Sequence, residues 1–410
     1  MSADLPASLP NRLPDTEWRA RPGLATLCDR LGASAGETRF VGGAVRDALL
    51  GIEAKDVDIA TVHRPEEVMA RVRAAGFKAV PTGIAHGTVT AVLDGWPVEI
   101  TTLRRDVSTD GRRATVAFAD DWREDAARRD FTMNALYANP GDGALHDYFG
   151  GLDDLAARRV RFIGDALARI DEDHLRILRY FRFVARFGAL DRDSADYAAC
   201  LVRAPSLMAL SRERIADELL RLLALPDPAE VVAAMVADGI LRPVIPEIGA
   251  DGVAALRALV AAERQGGIAP DPLRRLAALL PRDAALADQL GGRLRLSNKA
   301  RLRLKRALEP AGAADPRALA YRIGPDSAVD QILLGHAFAQ GDLALLRGWT
   351  VPKLPLSGGD LIAMGLSAGP PVAATLQELE RRWIAAGFPA DAETRALAAQ
   401  LVGVALRSAQ

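Results

Sequence analysis

RFVGGAVRDALLGIEAKDVDIATV, residues 39–62, contains two short β-rich runs separated by a glycine pair and a helix-like stretch. The first run, Arg39 to Val41, stops at Gly42-Gly43. With no Cβ at either position the chain can turn sharply there, and backbone can approach a ligand closely. A helix starting at that turn would aim free N–H groups and the positive end of its dipole at an anion. Arg46, within the first turn, adds a cation for the same anion. The second run carries Asp56 and Asp58. In extended backbone, residues two apart face the same way, about 6.5–7 Å from each other along the chain. Two carboxylates on one face repel unless cations lie between them. A pair of Mg2+ ions about 4 Å apart is what such carboxylates can bridge, and it suits in-line attack at a phosphate. A bare glycine pair reads first as a tight turn, and a lone Asp-x-Asp as a solvated strand end. Their succession is what turns the reading towards phosphate chemistry. Glu99, in the strand-like VEITT (98–102), offers a third carboxylate from a neighbouring strand, or is a simple exposed acid.

Around this stretch, residues 38–163 alternate β-rich runs (TRFVGG, DVDIATV, GTVTAVL, WPVEITTL) with helix-like segments such as 46–50 and 65–75. That mixture predicts an α/β or α+β domain around one sheet. Beyond about Asp165 strand signals nearly vanish. An Ala/Leu/Arg-rich helical pattern follows, broken at Pro205, LPDP (225–228), RPVIP (242–246), IAPDP (268–272) and VPKLP (351–355). The 410 residues allow two to four domains. A formal net charge of −1 supplies no global basic field, so any nucleic acid must be met by local clusters of Arg and Lys. Cys28 and Cys200 are the only cysteines and suggest neither a disulfide framework nor a zinc site. The start, rich in Pro and polar residues, reads as a flexible arm over its first twenty or so residues. No apolar run suits a signal core or a membrane span, and the cytoplasm is the expected compartment.

DEDHLRILRYFRF (171–183) is apolar along one side, yet Asp173, Arg176, Arg179 and Arg182 recur every third residue. On a helix Asp173 and Arg176 would be neighbours, with Arg179 still bordering them and Arg182 about half a turn away at about 3.6 residues per turn. An acceptor beside a donor is a hydrogen-bonding template. Asp173 can accept from the amino group of cytosine or adenine while Arg176 donates to the adjacent ring nitrogen. Uracil and guanine present the reverse order and would leave buried groups unpaired. The plain alternative is an intrahelical ion pair, with Arg182 an anchor between helices.

Gly42-Gly43-Ala44-Val45-Arg46-Asp47 followed by Asp56-x-Asp58 resembles the head domain of class II tRNA nucleotidyltransferases, the CCA-adding enzymes and bacterial poly(A) polymerases of the DNA polymerase β superfamily. The resemblance continues, in family order, through RRDFTMNAL (128–136), LHDYFGGLDDL (145–155), EDHLRILRYFRF (172–183) and LSRERIADELLRLL (210–223), and becomes diffuse beyond about 230. It implies the α+β class with a mixed sheet in the head. It implies an N-terminal arm and first helix over 1–30, a nucleotidyltransferase head over 31–163, a helical neck that reads the base over 164–228, and a helical body and tail that bind RNA over 229–410. It implies Mg2+ as cofactor, CTP and ATP as substrates, and the acceptor/TΨC arm of tRNA as partner. Asp56, Asp58 and Glu99 become the catalytic set, with Asp56 and Asp58 the metal ligands. Gly43, Arg46, Arg129, Asp130, Asp173, Arg176, Arg179 and Arg182 become nucleotide contacts, Arg129 and Asp130 at the sugar and phosphates.

His146-Asp147 invites a metal-phosphohydrolase reading, but the other histidines are scattered singly, and the dipeptide fits a family loop. Ser211–Leu223 begins with a plausible N-cap and reads as core packing. GRLRLSNKARLRLKRAL (292–308) holds Arg293, Arg295, Lys299, Arg301 and Arg303 with no acid among them. As one helix it would present a basic face to RNA phosphates; a solvated charged face is the ordinary alternative. GTVT, VEITT and the stretch 104–118, which resembles the flexible loop of full CCA adders, favour CCA addition. Poly(A) polymerase, CC-only or A-only addition, and a non-catalytic RNA-binding module are the alternatives.

Overall fold

The structure, a computed structural model, describes residues 9–110, 113–312 and 315–408. The chain divides into two compact units, 1–246 and 247–410. In the first, strands β1 (Thr38–Val41), β2 (Asp58–Thr61), β3 (Lys78–Gly83), β4 (Thr88–Leu93), β5 (Trp96–Thr102), β8 (Leu136–Ala138) and β9 (Leu145–Asp147) form one sheet in the order β3-β4-β5-β2-β1-β8-β9. Only β2 and β5 run parallel, so the sheet is mixed as expected. Strands β6 (Arg104–Asp110) and β7 (Arg113–Phe118) form a separate hairpin.

Register explains which face is buried. Phe40, Ile59, Ile100 and Val89 lie side by side across β1, β2, β5 and β4 and are almost fully buried. Helices α1 (Leu24–Arg30) and α3 (Pro65–Ala74) cover this apolar face through Leu24, Leu27, Val68 and Val72. Period-two alternation sends the next row, Val41, Asp58, Glu99 and Thr90, to the opposite face. Arg39, Ala60, Thr101 and Thr88 share that second face. This second face is polar along β5 and β4, while Val41 and Ala60 on it are buried in an apolar cluster with Leu103, Ala126 and Tyr137.

The N-terminal segment differs from the flexible arm expected of it. Leu13 and Trp18 are buried, the Leu13 N–H donates to the Gly143 carbonyl at 2.8 Å, and Trp18 packs edge-on against Phe40. Two apolar side chains, together with the Leu13 N–H and the Arg19 guanidinium, which donates to the Leu13 and Pro140 carbonyls, dock a stretch that composition alone reads as loose. Residues 1–8 of the expected arm lie outside the described residues.

Helix α2 (Gly43–Leu49) follows β1 directly, and α4 (Trp122–Ala127) and α5 (Gly151–Ala156) complete the sheet domain. Helices α6 (Ala166–Glu172), α7 (Leu175–Phe187), α8 (Ala195–Arg203), α9 (Arg212–Leu223) and α10 (Ala229–Ala237) finish the first unit. Helix α7 is the most strongly two-sided of these, with Ile177, Leu178, Phe181 and Val184 buried. Cys28 and Cys200 are both buried here, and burial pushes the Cys28 thiol up to about 12 and the Cys200 thiol well up as well.

Among its described residues the regular structure of the second unit is helical: α11 (Ala250–Gly266), α12 (Pro272–Ala278), α13 (Ala284–Arg293), α14 (Asn298–Leu308), α15 (Pro316–Ile323), α16 (Pro325–Leu333), α17 (Gly358–Ala363), α18 (Pro370–Ala385) and α19 (Asp391–Ser408). Its interior holds an ion network. Glu263 accepts from Arg274 at 2.6 Å and Arg275 at 2.9 Å, while Asp330 accepts from Arg274 and Arg303. The basic stretch 292–308 is therefore not one helix with a bare cationic face. It breaks between α13 and α14, with Arg295 at φ 54°, and acids from outside the stretch meet it: Glu247 on Arg293, Asp288 on Arg301, Asp330 and Asp271 on Arg303. Among the described residues no helix is long and apolar enough to cross a membrane.

Candidate active site

Gly42 makes the turn between β1 and α2 with φ 71° and ψ −124°, a region open in practice to glycine alone. A Cβ here would also stand 3.4 Å from an Arg129 guanidinium nitrogen. Gly43, the glycine expected to matter, has an ordinary backbone and forms the first residue of α2. The conformational requirement sits one residue earlier, because the turn is completed before the helix begins.

Asp58 and Glu99 are direct partners across the parallel β2–β5 pair and so share that second sheet face. Asp56 differs from expectation. It lies in a bend before β2, exposed, two residues short of the strand. It still acts on Asp58 electrostatically. Burial first, then Glu99 and Asp56, push the Asp58 carboxyl up to about 6, against the opposing pull of Arg129. Among the described residues no three His, Cys, Asp or Glu side chains form a ready-made metal cluster. The carboxylates nonetheless form an all-oxygen, mutually repelling set, which is the chemistry of a hard-cation site.

Arg129 borders both the glycine turn and Asp58. Its guanidinium lies over the Tyr137 ring, with hydrogen bonds to the Tyr137 hydroxyl at 3.3 Å and to Asp125 at 3.2 Å. Asp130 is held on both oxygens: Oδ1 accepts from the Phe131 N–H and Asn134, and Oδ2 accepts from Arg179. Arg46 is buried. It donates to Asp47 at 2.6 and 2.8 Å and to Asn134, and stacks 4.2 Å above Phe187. Burial lowers its pKa, with Asp47 opposing. A guanidinium so enclosed fixes the α2 turn against α7 rather than standing open towards an anion.

Asp173 is not within a helix. It ends α6 with φ −154° and ψ 103°, and α7 begins two residues later. One oxygen accepts from the Leu175 N–H at 3.1 Å; the other accepts from Arg214 of α9 at 2.6 Å. Arg176 donates to the Arg169 carbonyl, to Glu172 and to the Arg128 carbonyl. Asp173 and Arg176 remain close, since the Arg176 N–H donates to the Asp173 carbonyl at 3.0 Å, although each side chain has its own partner. Arg179 pairs with Asp130 and with Glu218, and Arg182 pairs with Glu218 at 2.6 Å. Both thus brace helix α7, Arg182 in the anchoring manner weighed against a nucleotide contact. His146 bonds Asn139, and Asp147 accepts from the N–H groups of Phe149, Gly151 and Leu152, so this dipeptide shapes the turn into α5.

Reasoning from the sequence missed Asp125, Tyr137, Asn134, Arg214 and Glu218, which hold the expected site residues in place. Asp125 stands four residues before Arg129, a spacing that puts acid and arginine together on a helical turn; that signal was legible. Ser211 precedes α9 but its hydroxyl caps nothing, and buried Glu218 lies in a segment read as plain core.

Comparison with known proteins gives the family and the fold. Residues 38–161 match the family model described as the poly A polymerase head domain, and residues 197–251 match one described as a probable RNA and SrmB-binding site of polymerase A. The chain is 35% identical over 383 residues to the mitochondrial CCA tRNA nucleotidyltransferase 1 of Mus musculus, covering 89% of this chain and 87% of that protein. The crystal structure of the Bacillus stearothermophilus CCA-adding enzyme in complex with CTP superposes with a TM-score of 0.72 at 30% identity, covering 89% of this chain and 94% of the other. The Thermotoga maritima CCA-adding enzyme complexed with tRNA shares the fold at 21% identity, with a TM-score of 0.66 over 96% and 97% of the two chains.

Proposed function

Because the chain belongs to the CCA-adding tRNA nucleotidyltransferases, we propose that it adds C, C and A to tRNA 3′ ends from CTP and ATP, releasing pyrophosphate. One observation carries the catalytic part of the reading: half-buried Asp58 and exposed Glu99 side by side on one sheet face, with Arg129 between them and the Gly42 turn. Asp56 and Asp58 would hold Mg2+, which would lower the pKa of the attacking 3′-hydroxyl and neutralise charge at the α-phosphate. Glu99 raises the negative charge of the same site. Arg129 holds the ribose–phosphate region, and the N–H groups of the α2 first turn, starting at Gly43, lie at the triphosphate. Asp130, locked by Arg179, fixes the edge on which the sugar rests.

Base choice falls to Asp173 and Arg176. Cytosine and adenine each offer an amino donor beside a ring acceptor, which this pair complements in place of its present partners Arg214 and Glu172. The tRNA arm docks along the second unit, where Arg301 and Lys299 are exposed enough to meet phosphate, whereas Arg303 is an internal staple. The division into head 31–163, neck 164–228 and body 229–410 belongs to the same reading, as does a cytoplasmic compartment, although the mouse relative is named for mitochondria.

Incubation with tRNA lacking CCA, Mg2+ and each nucleotide singly and in combination tests this, with sequencing of the 3′ ends. CTP alone should add two residues and CTP with ATP three. Runs of A from ATP alone would point instead to poly(A) polymerase. Binding without extension would point to a non-catalytic RNA module.

A further inference from the structure

Asp125, on helix α4, is fully buried, and four donors converge on its two oxygens. Oδ1 accepts from Arg128 Nε at 2.8 Å and from the Arg104 backbone N–H at 3.3 Å. Oδ2 accepts from the Tyr137 hydroxyl at 2.7 Å and from Arg129 at 3.2 Å. Burial by itself would raise such a carboxyl, but Arg129 and Arg128 hold it down at about 2, so it is an anion at every working pH.

The donors come from separate places. Arg104 is the first residue of β6, the root of the hairpin. The hairpin's other root, Phe118, pairs with Arg104 in register, closes over Gly87 and lies 4.6 Å beneath the Arg64 guanidinium. Arg129 faces the glycine turn and Asp58. Arg128 continues the chain of contacts, since its carbonyl accepts from Arg176 at 3.4 Å. A continuous path therefore runs from the hairpin root, through one carboxylate, to two arginines beside the site.

We propose that Asp125 is a positioning residue that ties Arg129 and, through the Arg128 carbonyl, Arg176 to the root of the β6–β7 hairpin. The inference rests on the reading of Arg129 and Arg176 as nucleotide contacts given above. A shift of the hairpin root moves the Arg104 N–H against Asp125, and the carboxylate carries that shift to both guanidinium groups. Glu124, the residue before it, is exposed and, among the described residues, pairs with Arg105 at 3.8 Å rather than with these donors.

Asp125→Asn keeps the volume but removes the charge and turns one acceptor into a donor. We expect KM for CTP and ATP to rise by about 10²-fold, the loss that a displacement of about 1 Å brings, with tRNA affinity unchanged. Phe118→Ala, which loosens the hairpin root without touching the carboxylate, should raise KM by less and add nothing to Asp125→Asn, because both break one path. Nucleotide KM within about twofold of wild type, or losses from the two variants that multiply independently, would overturn the proposal. If Asp125→Asn does not fold, Arg128→Lys takes its place: charge is kept, the fork on Asp125 is lost, and a rise of about tenfold in nucleotide KM is expected against none. A wild-type chain that extends no tRNA would instead fail the functional reading itself.

Discussion

Asp58 has the most consequential environment of any side chain in the sheet domain. Its pKa is raised above the unfolded value near 3.8, so the protonated form is the one folding favours. That contribution is complete below about 4 and is lost as pH rises through about 6. The metal-free chain, kept in chelator, should therefore lose thermal stability between pH 4 and pH 7. Asp58→Asn should remove that slope and, at pH 8, stabilise the metal-free protein by about 2 kcal/mol while abolishing incorporation. Calorimetry across pH checks the first part and the tRNA extension assay the second; an unchanged slope would refute it. At this scale Asp58 was legible in the sequence as a strand carboxylate. Glu99 reads there equally as a simple exposed acid, because its place beside Asp58 depends on the β2–β5 register and not on parity within one strand. Asp56 was misplaced because a motif shows spacing and not where a strand begins. The partners Asp125, Arg214 and Glu218 were not legible as such, because long-range ion pairs depend on tertiary packing and not on local pattern. Exchanging Asp173 and Arg176 should degrade selection of C and A over U and G; selection that survives the exchange in a single-nucleotide assay would remove the template role.

Gly42 shows how a connection between two elements can constrain more than either element does. Its ψ of −124° at positive φ has no counterpart for a residue with a side chain. Gly42→Ala should cost about 1–3 kcal/mol in strain, and the added methyl would press on Arg129. We expect a lower unfolding midpoint in denaturant together with a raised nucleotide KM, whereas Gly43→Ala, in helical backbone, should be near neutral in stability. Helix α14 makes the contrasting case. Its run of cations predicts an exposed basic face, yet Arg303 is turned inward onto Asp330 and Asp271. The period of charged residues along a helix does not say which of them acids elsewhere will claim. Arg303→Glu should therefore damage folding of the second unit, and Arg301→Glu, on an exposed pair, should weaken tRNA binding with stability nearly intact. Thermal melts beside filter-binding titrations separate the two.

Over the whole chain, the two units have different kinds of interior. The first is centred on a sheet with one apolar face and one mixed face that carries the carboxylates. The second keeps Glu263, Arg274, Arg275 and Asp330 inside a helical array. Such a network is well satisfied as it stands, and removing one member leaves an uncompensated buried charge. Glu263→Gln should destabilise the second unit by about 3–5 kcal/mol, visible as an earlier unfolding transition. A sheet domain and the switch to helices near residue 165 were legible because strand and helix periods differ plainly there. The division near residue 246 was not, since the prolines around it resemble every other interhelical break in the chain.

The placement of the cysteines provides an unplanned assay. Both thiols are shielded, and both belong to the first of the two units. A brief pulse of alkylating reagent during a denaturant series will mass-tag the chain only once that unit has opened. Opening confined to residues 247–410 leaves the mass unchanged. Subtracting tagged fraction from loss of circular dichroism then separates the melting of each half without a mutation or an added dye.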